Sequence, residues 1–322
     1  MKKRSIWIVL LLITIAILIV LILTQTKHEQ AATVRLVYKQ NSNYLIYFVA
    51  EEKGYFNEAG IHIDPKIIES SNLMVQALGT GQADFNPSNS VPSLYSAELA
   101  SPGTFKILYF MLMTKGRSND AVLVSKDSPY KSLSDLKGKK IGGPPGIATV
   151  ILLKLILRNF LDPEKDIQII ELEPQLQLQA LQAKQIDAVF GLEPIITFGR
   201  EKGITRVLVN EPMEQFIMNP LPIACGVVSS SFAESNPELI TRLNKAMGKA
   251  IDFIRSNNSE SRKILAKYIG LKQSTADNLG ITAYWKHNEI DTTYVQKLAN
   301  IFLQERVLDK PLQTSSLILR QK

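Results

Sequence analysis

The sequence contains a single cysteine, Cys225, so no disulfide bond can form within the chain. Histidine is almost as scarce: His28, His62 and His287 lie far apart, with no cysteine or paired carboxylate at metal-ligand spacing. The serines near residue 230 lack the glycines of a nucleophile elbow. We therefore predict no metal ion, no cofactor and no catalytic residue. Cys225 lies in the apolar segment LPIACGVV, which predicts a small buried side chain.

The chain also lacks a large excess of one charge. Its 37 basic and 30 acidic residues give a net charge of +7. Four of the basic residues, Lys2, Lys3, Arg4 and Lys27, precede the first acidic residue, and without these four the net charge is +3. This excess is too small and too dispersed to indicate nucleic-acid binding.

One long run of residues, 6–24, carries no charge and is almost entirely apolar. At a rise of about 1.5 Å per residue, a helix of this length crosses the hydrocarbon core of a membrane. The preceding basic residues predict a cytoplasmic N-terminus, with the rest of the chain on the outer face. We predict that residues 1–30 form a retained single-pass anchor and linker. The alternative is a cleaved secretory signal, which would release the protein to the periplasm.

Two similar segments suggest that the chain contains a repeated structural unit. ALGTGQADFN spans residues 77–86, and ALQAKQIDAVF spans residues 180–190. Around each of them, strand-like and helix-like stretches alternate in the order β-α-β-α-β. This order predicts an α/β fold with two lobes, each of them a mostly parallel sheet flanked by helices.

The segments outside the two units predict how the chain divides between the lobes. Residues 31–120 form the first part of lobe 1, residues 121–228 form lobe 2, and residues 229–322 return to lobe 1 as helices. The segments AVLVSKDS (121–128) and CGVVSSSF (225–232) resemble each other and stand where the chain passes between lobes. Two such strands side by side would make a hinge.

Ligands of open α/β sheets bind beyond the carboxyl ends of the strands. In lobe 1 the corresponding loops carry uncharged polar residues. In lobe 2 they include GGPPGIAT, residues 142–149, where free N–H groups at a helix start could hold an anion. The alternative is a turn that uses Gly and Pro for its geometry alone. Glu193 could accept a hydrogen bond from a ligand amine, pair with a lysine or be solvated.

Five segments carry a family resemblance: EEKGYFNEAGIHI, QALGTGQADF, SLSDLKGKKIGGPPG, LQAKQIDAVFGLEP and VQKLANIFLQERVL. In this order, over residues 33–310, they resemble the nitrate, sulfonate and bicarbonate group of ABC-transporter substrate-binding proteins, which also includes binders of thiamine-precursor pyrimidines. The resemblance implies a two-lobed type 2 periplasmic-binding-protein fold that closes around a small solute. It also implies delivery of that solute to an ABC permease driven by a cytoplasmic ATPase.

The resemblance points to ligand contacts after the first strand, after the third strand, at the start of the first helix of lobe 2 and at the GLEP segment. Carried onto this chain, these contacts are Gln40, Asn41, Asn86, Ser88, Gly146, Thr149 and Glu193. The same strand-end loops add Tyr44, Ser71, Asn72 and Asn89 as ligand-binding candidates. Gly191 and Leu192 stand where many relatives have an aromatic residue, so no stacking platform is expected there.

Two alternatives to a solute receptor remain. One is an enzyme on the same fold that resembles pyrimidine synthase, although such relatives use a cysteine-rich motif and an active-site histidine. The other is a membrane-tethered sensor that acts through a partner chain. An oxyanion, an alkylsulfonate and an aminopyrimidine all fit a neutral polar cleft, and Lys39 lies too close to its strand to decide among them.

Overall fold

Two β-sheets flanked by helices form the core of the computed structural model, which describes residues 31–117 and 119–319. From Thr33 onward the chain forms one compact unit. The strands are β1 (Ala32–Tyr38), β2 (Ile61–Ile67), β3 (Phe85–Ser90), β4 (Phe105–Met113), β5 (Asp120–Ser125), β6 (Lys139–Gly143), β7 (Ile167–Glu171), β8 (Ala188–Leu192), β9 (Thr205–Asn210), β10 (Leu221–Ser229) and β11 (Ala283–Trp285).

The α-helices surround these sheets and differ greatly in length. They are α1 (Leu45–Glu52), α2 (Tyr55–Glu58), α3 (Ser71–Gly79), α4 (Val91–Ala100), α5 (Ile147–Leu157), α6 (Pro174–Gln182), α7 (Ile195–Glu201), α8 (Pro212–Phe216), α9 (Ser230–Ser235), α10 (Pro237–Ser256), α11 (Asn258–Ile269), α12 (Gln273–Ala276) and α13 (Thr292–Gln304). Short 3-10 turns occur at Ser42–Tyr44, Leu133–Leu136, His287–Glu289 and Thr314–Ser316.

Both predicted β-α-β-α-β units are present, which confirms the α/β class. The first sheet has the strand order β11-β4-β10-β3-β1-β2, and the second has the order β7-β6-β8-β5-β9. Strand β1 is parallel to β3, and β6 is parallel to β7 and β8. However, β10 is antiparallel to β3 and β4, and β5 is antiparallel to β8 and β9. Since β4 is antiparallel to β10 and β9 is antiparallel to β5, both β4 and β9 run in the same direction as the repeated units. The prediction of mostly parallel sheets therefore holds for the strands whose pairing is described, and β5, β10 and β11 are the ones that run the other way.

The repeated segments have the same structural role in both units. After α3, the backbone N–H of Gln82 donates to the carbonyl of Ala77, and Asp84 Oδ2 accepts from the backbone N–H of Arg35 in β1 at 2.9 Å. After α6, the N–H of Gln185 donates to Ala180, and Asp187 Oδ2 accepts from the N–H of Lys140 in β6 at 2.9 Å. Each copy therefore ends a helix and fixes the following strand to its parallel neighbour.

The predicted pair of hinge strands is wrong, because β5 and β10 lie in different sheets. The four apolar side chains of 121–124 are fully buried within the second sheet, so this segment is a core strand. The chain instead passes between the sheets after β4 and again after β9. These two connections touch, since the N–H of Gly116 donates to Glu211 Oε1 at 2.7 Å. The predicted lobe boundaries themselves stay a prediction.

The C-terminal helices pack against the helices of the first unit. Helices α10 and α11 both contact α1. The apolar stripe of α10 that includes Leu243, Met247 and Ile251 is buried, as expected for a helix with one core-facing side. In the described ranges, no helix is long and apolar enough to cross a membrane. The predicted anchor, residues 6–24, lies outside these ranges.

Candidate ligand-binding site

Polar side chains of β3 and of the 3-10 turn after β1 form a buried hydrogen-bonded cluster. Asn86 is fully buried, and its Oδ1 accepts from the hydroxyl of Tyr44 at 3.3 Å and from the N–H of Ser88 at 2.9 Å. Its amide nitrogen donates to Asn89 Oδ1 at 3.0 Å. The cluster brings together four of the predicted ligand residues. The amide nitrogen of Asn89 in turn donates to the carbonyl of Ser90. Because partners within the protein already occupy both amides, they form a polar floor and have little free capacity to bind a ligand directly.

An irregular region of the sheet supports this floor from the side. The pairing of β10 with β3 shifts register between Cys225 and Val227, opposite Pro87. The hydroxyl of Tyr109, on β4, reaches across β10 and donates to the carbonyl of Pro87 at 2.8 Å. It can do so because Gly226 has no side chain: an added Cβ there would lie 2.3 Å from the tyrosine ring. The backbone between Asn86 and Ser88 is thus held by a residue two strands away.

Lys39 lies at the carboxyl end of β1. Its role in ligand binding could not be decided from the sequence. Its Nζ donates to the hydroxyl of Ser71, at the start of α3, at 3.3 Å. Burial lowers the pKa of this ammonium group, while the negative charges of Glu69 and Glu173 act in the opposite direction. Glu173 lies two residues beyond the end of β7 in the second sheet, so residues of both sheets lie near Lys39. The lysine is a partly dehydrated cation between strand ends of both sheets.

The GGPPGIAT loop lies at the start of α5, as predicted. Gly146 has φ of 118°, a conformation that side chains disfavour. Its N–H donates to Glu171 Oε2 at 3.1 Å, so a carboxylate of the protein itself occupies this amide. Thr149 is buried, and its N–H donates to the Gly146 carbonyl. The loop therefore does attract an anionic group, and a ligand that used the same amide would have to displace Glu171.

Glu193 holds the start of α7. Its two carboxylate oxygens accept from the N–H and the hydroxyl of Thr197, each at 3.0 Å. Burial raises the pKa of the Glu193 carboxyl, and the hydrogen bonds from Thr197 partly oppose this effect. Its backbone carbonyl accepts from the hydroxyl of Ser42, after β1, at 3.2 Å. The residue therefore joins the strand ends of the two sheets through its backbone, while its side chain caps a helix.

The remaining predicted residues lie at the edges of this region. Gln40 is exposed and donates to the carbonyl of Tyr268 at 2.6 Å. Asn41 accepts from the N–H of Asn43 and so caps the turn after β1. Asn72, next to Ser71 on α3, is exposed. The role of these side chains as ligand contacts stays a prediction.

Cys225 is a buried apolar side chain, as predicted from its sequence context. Burial raises the pKa of its thiol, which makes the side chain inert as a nucleophile. Within residues 31–117 and 119–319, no three side chains of the metal-binding types come together at a possible metal site.

In this region residues from the strand ends of the two sheets meet, as in the contact of Ser42 with Glu193. The chain belongs to the NMT1/THI5 like family, whose model matches residues 41–261. This membership confirms the resemblance seen in the sequence motifs. A Brucella abortus protein provisionally named a binding protein is 29% identical over 231 residues, which are 71% of this chain and 69% of that protein.

Comparison with solved structures gives the same fold. The crystal structure of the periplasmic aliphatic sulphonate binding protein of Escherichia coli matches with a TM-score of 0.72 at 21% identity, covering 90% of this chain and 92% of that one. The desulfurization enzyme DSZB matches with a TM-score of 0.67 at 18% identity, covering 90% and 97%. The predicted periplasmic-binding-protein fold is confirmed, and this fold carries both a binding protein and an enzyme.

Proposed function

We propose that the protein is the extracytoplasmic solute-binding component of an ABC importer. Family membership and the two-sheet fold support this role. In this proposal the two lobes close over a small solute and present it to a membrane permease, whose transport is driven by a cytoplasmic ATPase. Residues 6–24 hold the protein at the outer face of the membrane as a retained anchor. Cleavage after this segment would instead release it to the periplasm.

The partly buried charge of Lys39 is the observation that best supports a ligand with an anionic group. A cation withdrawn from water is costly unless an opposite charge lies close. The carboxylates of Glu69 and Glu173 supply some of this compensation, and a sulfonate or carboxylate of the ligand would supply more. Ser71, which already contacts the ammonium group, offers a hydroxyl at the same place.

The acidic residues of the same region favour a ligand that also carries an amine. Glu171 ends β7 and contacts Gly146, and Glu173, two residues further on, acts on the charge of Lys39. A simple inorganic anion such as nitrate would lie near these carboxylates without neutralising their negative charge. An aminosulfonate places one charge near the lysine and the other near the carboxylates, and an aminopyrimidine supplies the amine alone. We therefore propose an amine-bearing solute, with an aminosulfonate as the first candidate.

We propose binding without turnover. The desulfurization enzyme shows that the fold also permits catalysis, and a pyrimidine-synthase-like activity is the second candidate function. A reactive cysteine would favour that alternative, but the single thiol of this chain, Cys225, is fully buried and held in its neutral form.

A thermal-shift screen with taurine, ethanesulfonate, nitrate and an aminopyrimidine tests these proposals. Taurine and ethanesulfonate differ in the amine, so their comparison isolates its contribution. We expect taurine to raise the melting temperature most and to be recovered unmodified. Lys39→Gln should weaken its binding about tenfold or more, whereas the exposed Lys126→Gln serves as the matched control. Chemical conversion of a bound solute would contradict the binding role, and no response to any solute of these classes would contradict the ligand proposal.

A further inference from the structure

A pocket lies beside the first sheet and is lined by none of the predicted ligand residues; it shares only Tyr109 with the support of Asn86. Its volume is about 320 Å³, within the range of small-molecule sites. It is bounded by α10, by strand β4 and by the 3-10 turn His287–Glu289. The buried side chains of Tyr109 and Ile251 contribute to its lining. The pocket is therefore distinct from the candidate site.

Gly248 forms part of the pocket wall. Close packing does not explain why this residue is a glycine. It lies in the middle of α10, a helix of 20 residues, where glycine is one of the weakest helix formers. Glycines in helices often permit a close contact, but a Cβ added at Gly248 would meet nothing within 4 Å. Its backbone conformation does not require glycine either, because its φ is not positive. The missing side chain leaves an open space that faces the pocket.

The charges around this space do not cancel. Lys286 pairs with Asp252, with Nζ and Oδ2 separated by 2.6 Å. Lys245 is exposed and forms no ion pair within the described part of the chain. Burial lowers the pKa of His287, so this imidazole adds no fixed positive charge near neutral pH. The pocket therefore carries about one uncompensated positive charge.

Uncharged hydrogen-bond donors accompany this charge. The side-chain amides of Asn244 and Asn288 both line the pocket. Asn244 is half-buried and Asn288 is exposed, so the pocket opens toward solvent on the side of the 3-10 turn. Amide N–H groups and an ammonium group are all donors to an oxygen-rich anion.

We propose that this pocket binds a small anion, with a carboxylate or phosphate group held by Lys245, Asn244 and Asn288 in the space left by Gly248. The anion lies against the backbone of α10 at Gly248. A larger side chain at position 248 would fill the space that the anion needs. The site is independent of the solute proposed for the strand-end region.

Isothermal titration of the full-length chain with inorganic phosphate and, separately, with acetate tests the proposal. Lys245→Gln should weaken binding about tenfold or more, and the exposed Lys297→Gln is the matched control for a loss of one surface charge. Gly248→Ala should raise the melting temperature, because alanine favours a helix, and should weaken anion binding. Gly248→Leu should abolish anion binding.

The two changes at Gly248 separate a binding role from a structural one, because stability and affinity are expected to change in opposite directions for Gly248→Ala. Binding of phosphate alone or of acetate alone would identify the anionic group and support the site. No binding of either anion would overturn the proposal. Binding that survives both Lys245→Gln and Gly248→Leu would also overturn it, because the anion would then lie elsewhere.

Discussion

Replacing Glu214 with glutamine will stabilise the protein at alkaline pH. Glu214 belongs to α8, in the connection that returns the chain to the first sheet, and is buried with only 6% of its surface exposed. Burial raises the pKa of its carboxyl from 4.5 to about 8, and the negative charges of Asp120 and Glu211 act in the same sense. No described cation contributes to this shift. Near neutral pH the folded protein therefore keeps a proton on Glu214.

The size of the effect follows from proton linkage. The unfolded chain releases this proton above about pH 4.5, whereas the folded chain holds it until about pH 8. The free energy of unfolding therefore falls as pH rises through this window. At 1.36 kcal/mol per pH unit, the largest loss is about 5 kcal/mol. Glutamine keeps the size and the donor of the protonated carboxyl but does not titrate, so Glu214→Gln should avoid this loss.

Urea denaturation at about pH 5 and about pH 8 measures the difference. We expect the wild-type protein and Glu214→Gln to have similar stability at the lower pH. At the higher pH the variant should be more stable by several kcal/mol. Glu234→Gln, which removes an exposed carboxylate, is the control and should follow the wild type. An equal loss of stability with pH in Glu214→Gln and in the wild type would refute the reasoning.

Three further substitutions test the support of the candidate site, each measured by denaturant unfolding. Gly226→Ala places a Cβ against the ring of Tyr109 and should cost about 2 kcal/mol; wild-type stability would show that the ring can move freely. Asn86→Ala leaves buried partners without hydrogen bonds and should cost about 2 kcal/mol; a neutral effect would mean that the cluster is not tightly coupled. Glu193→Ala removes both acceptors of Thr197 and should cost about 1 kcal/mol. Unchanged stability together with lost solute binding would instead support a ligand role for Glu193.

The order of elements could be predicted from the sequence because local patterns specify it. Ala-Leu at a helix end and Asp before an apolar strand recur in both units. Asp84 and Asp187 make the same hydrogen bond to the neighbouring strand. The opposite direction of β5, β10 and β11 could not be predicted in this way. β10 pairs with β3 across a long separation in sequence, as in the pairing of Cys225 with Asn89, and no local periodicity reports such a contact.

The candidate site was only partly accessible to sequence reasoning. The strand-end rule selected residues that the structure brings together, since Tyr44, Ser88 and Asn89 all contact Asn86. Asn86, Ser88 and Asn89 lie within β3, however, and not in a loop after it. The sequence could not reveal that partners within the protein already occupy the amides of Asn86 and Asn89. Nor could it reveal that Lys39 is partly buried beside Glu173, because burial depends on the second sheet. The helix-capping role of the Glu193 carboxylate could not be predicted from the sequence, because it depends on the local turn into α7.

The central claim is that the two sheets move towards each other when a solute binds between their strand ends. Spin labels on Lys66→Cys, in β2, and Gln175→Cys, in α6, would report the distance between the sheets, since both positions are exposed. The native thiol of Cys225 is buried and should not react with the label. We predict that the solute with the largest thermal shift shortens the distance between the labels and narrows its distribution. A distance unchanged by saturating solute would contradict the account.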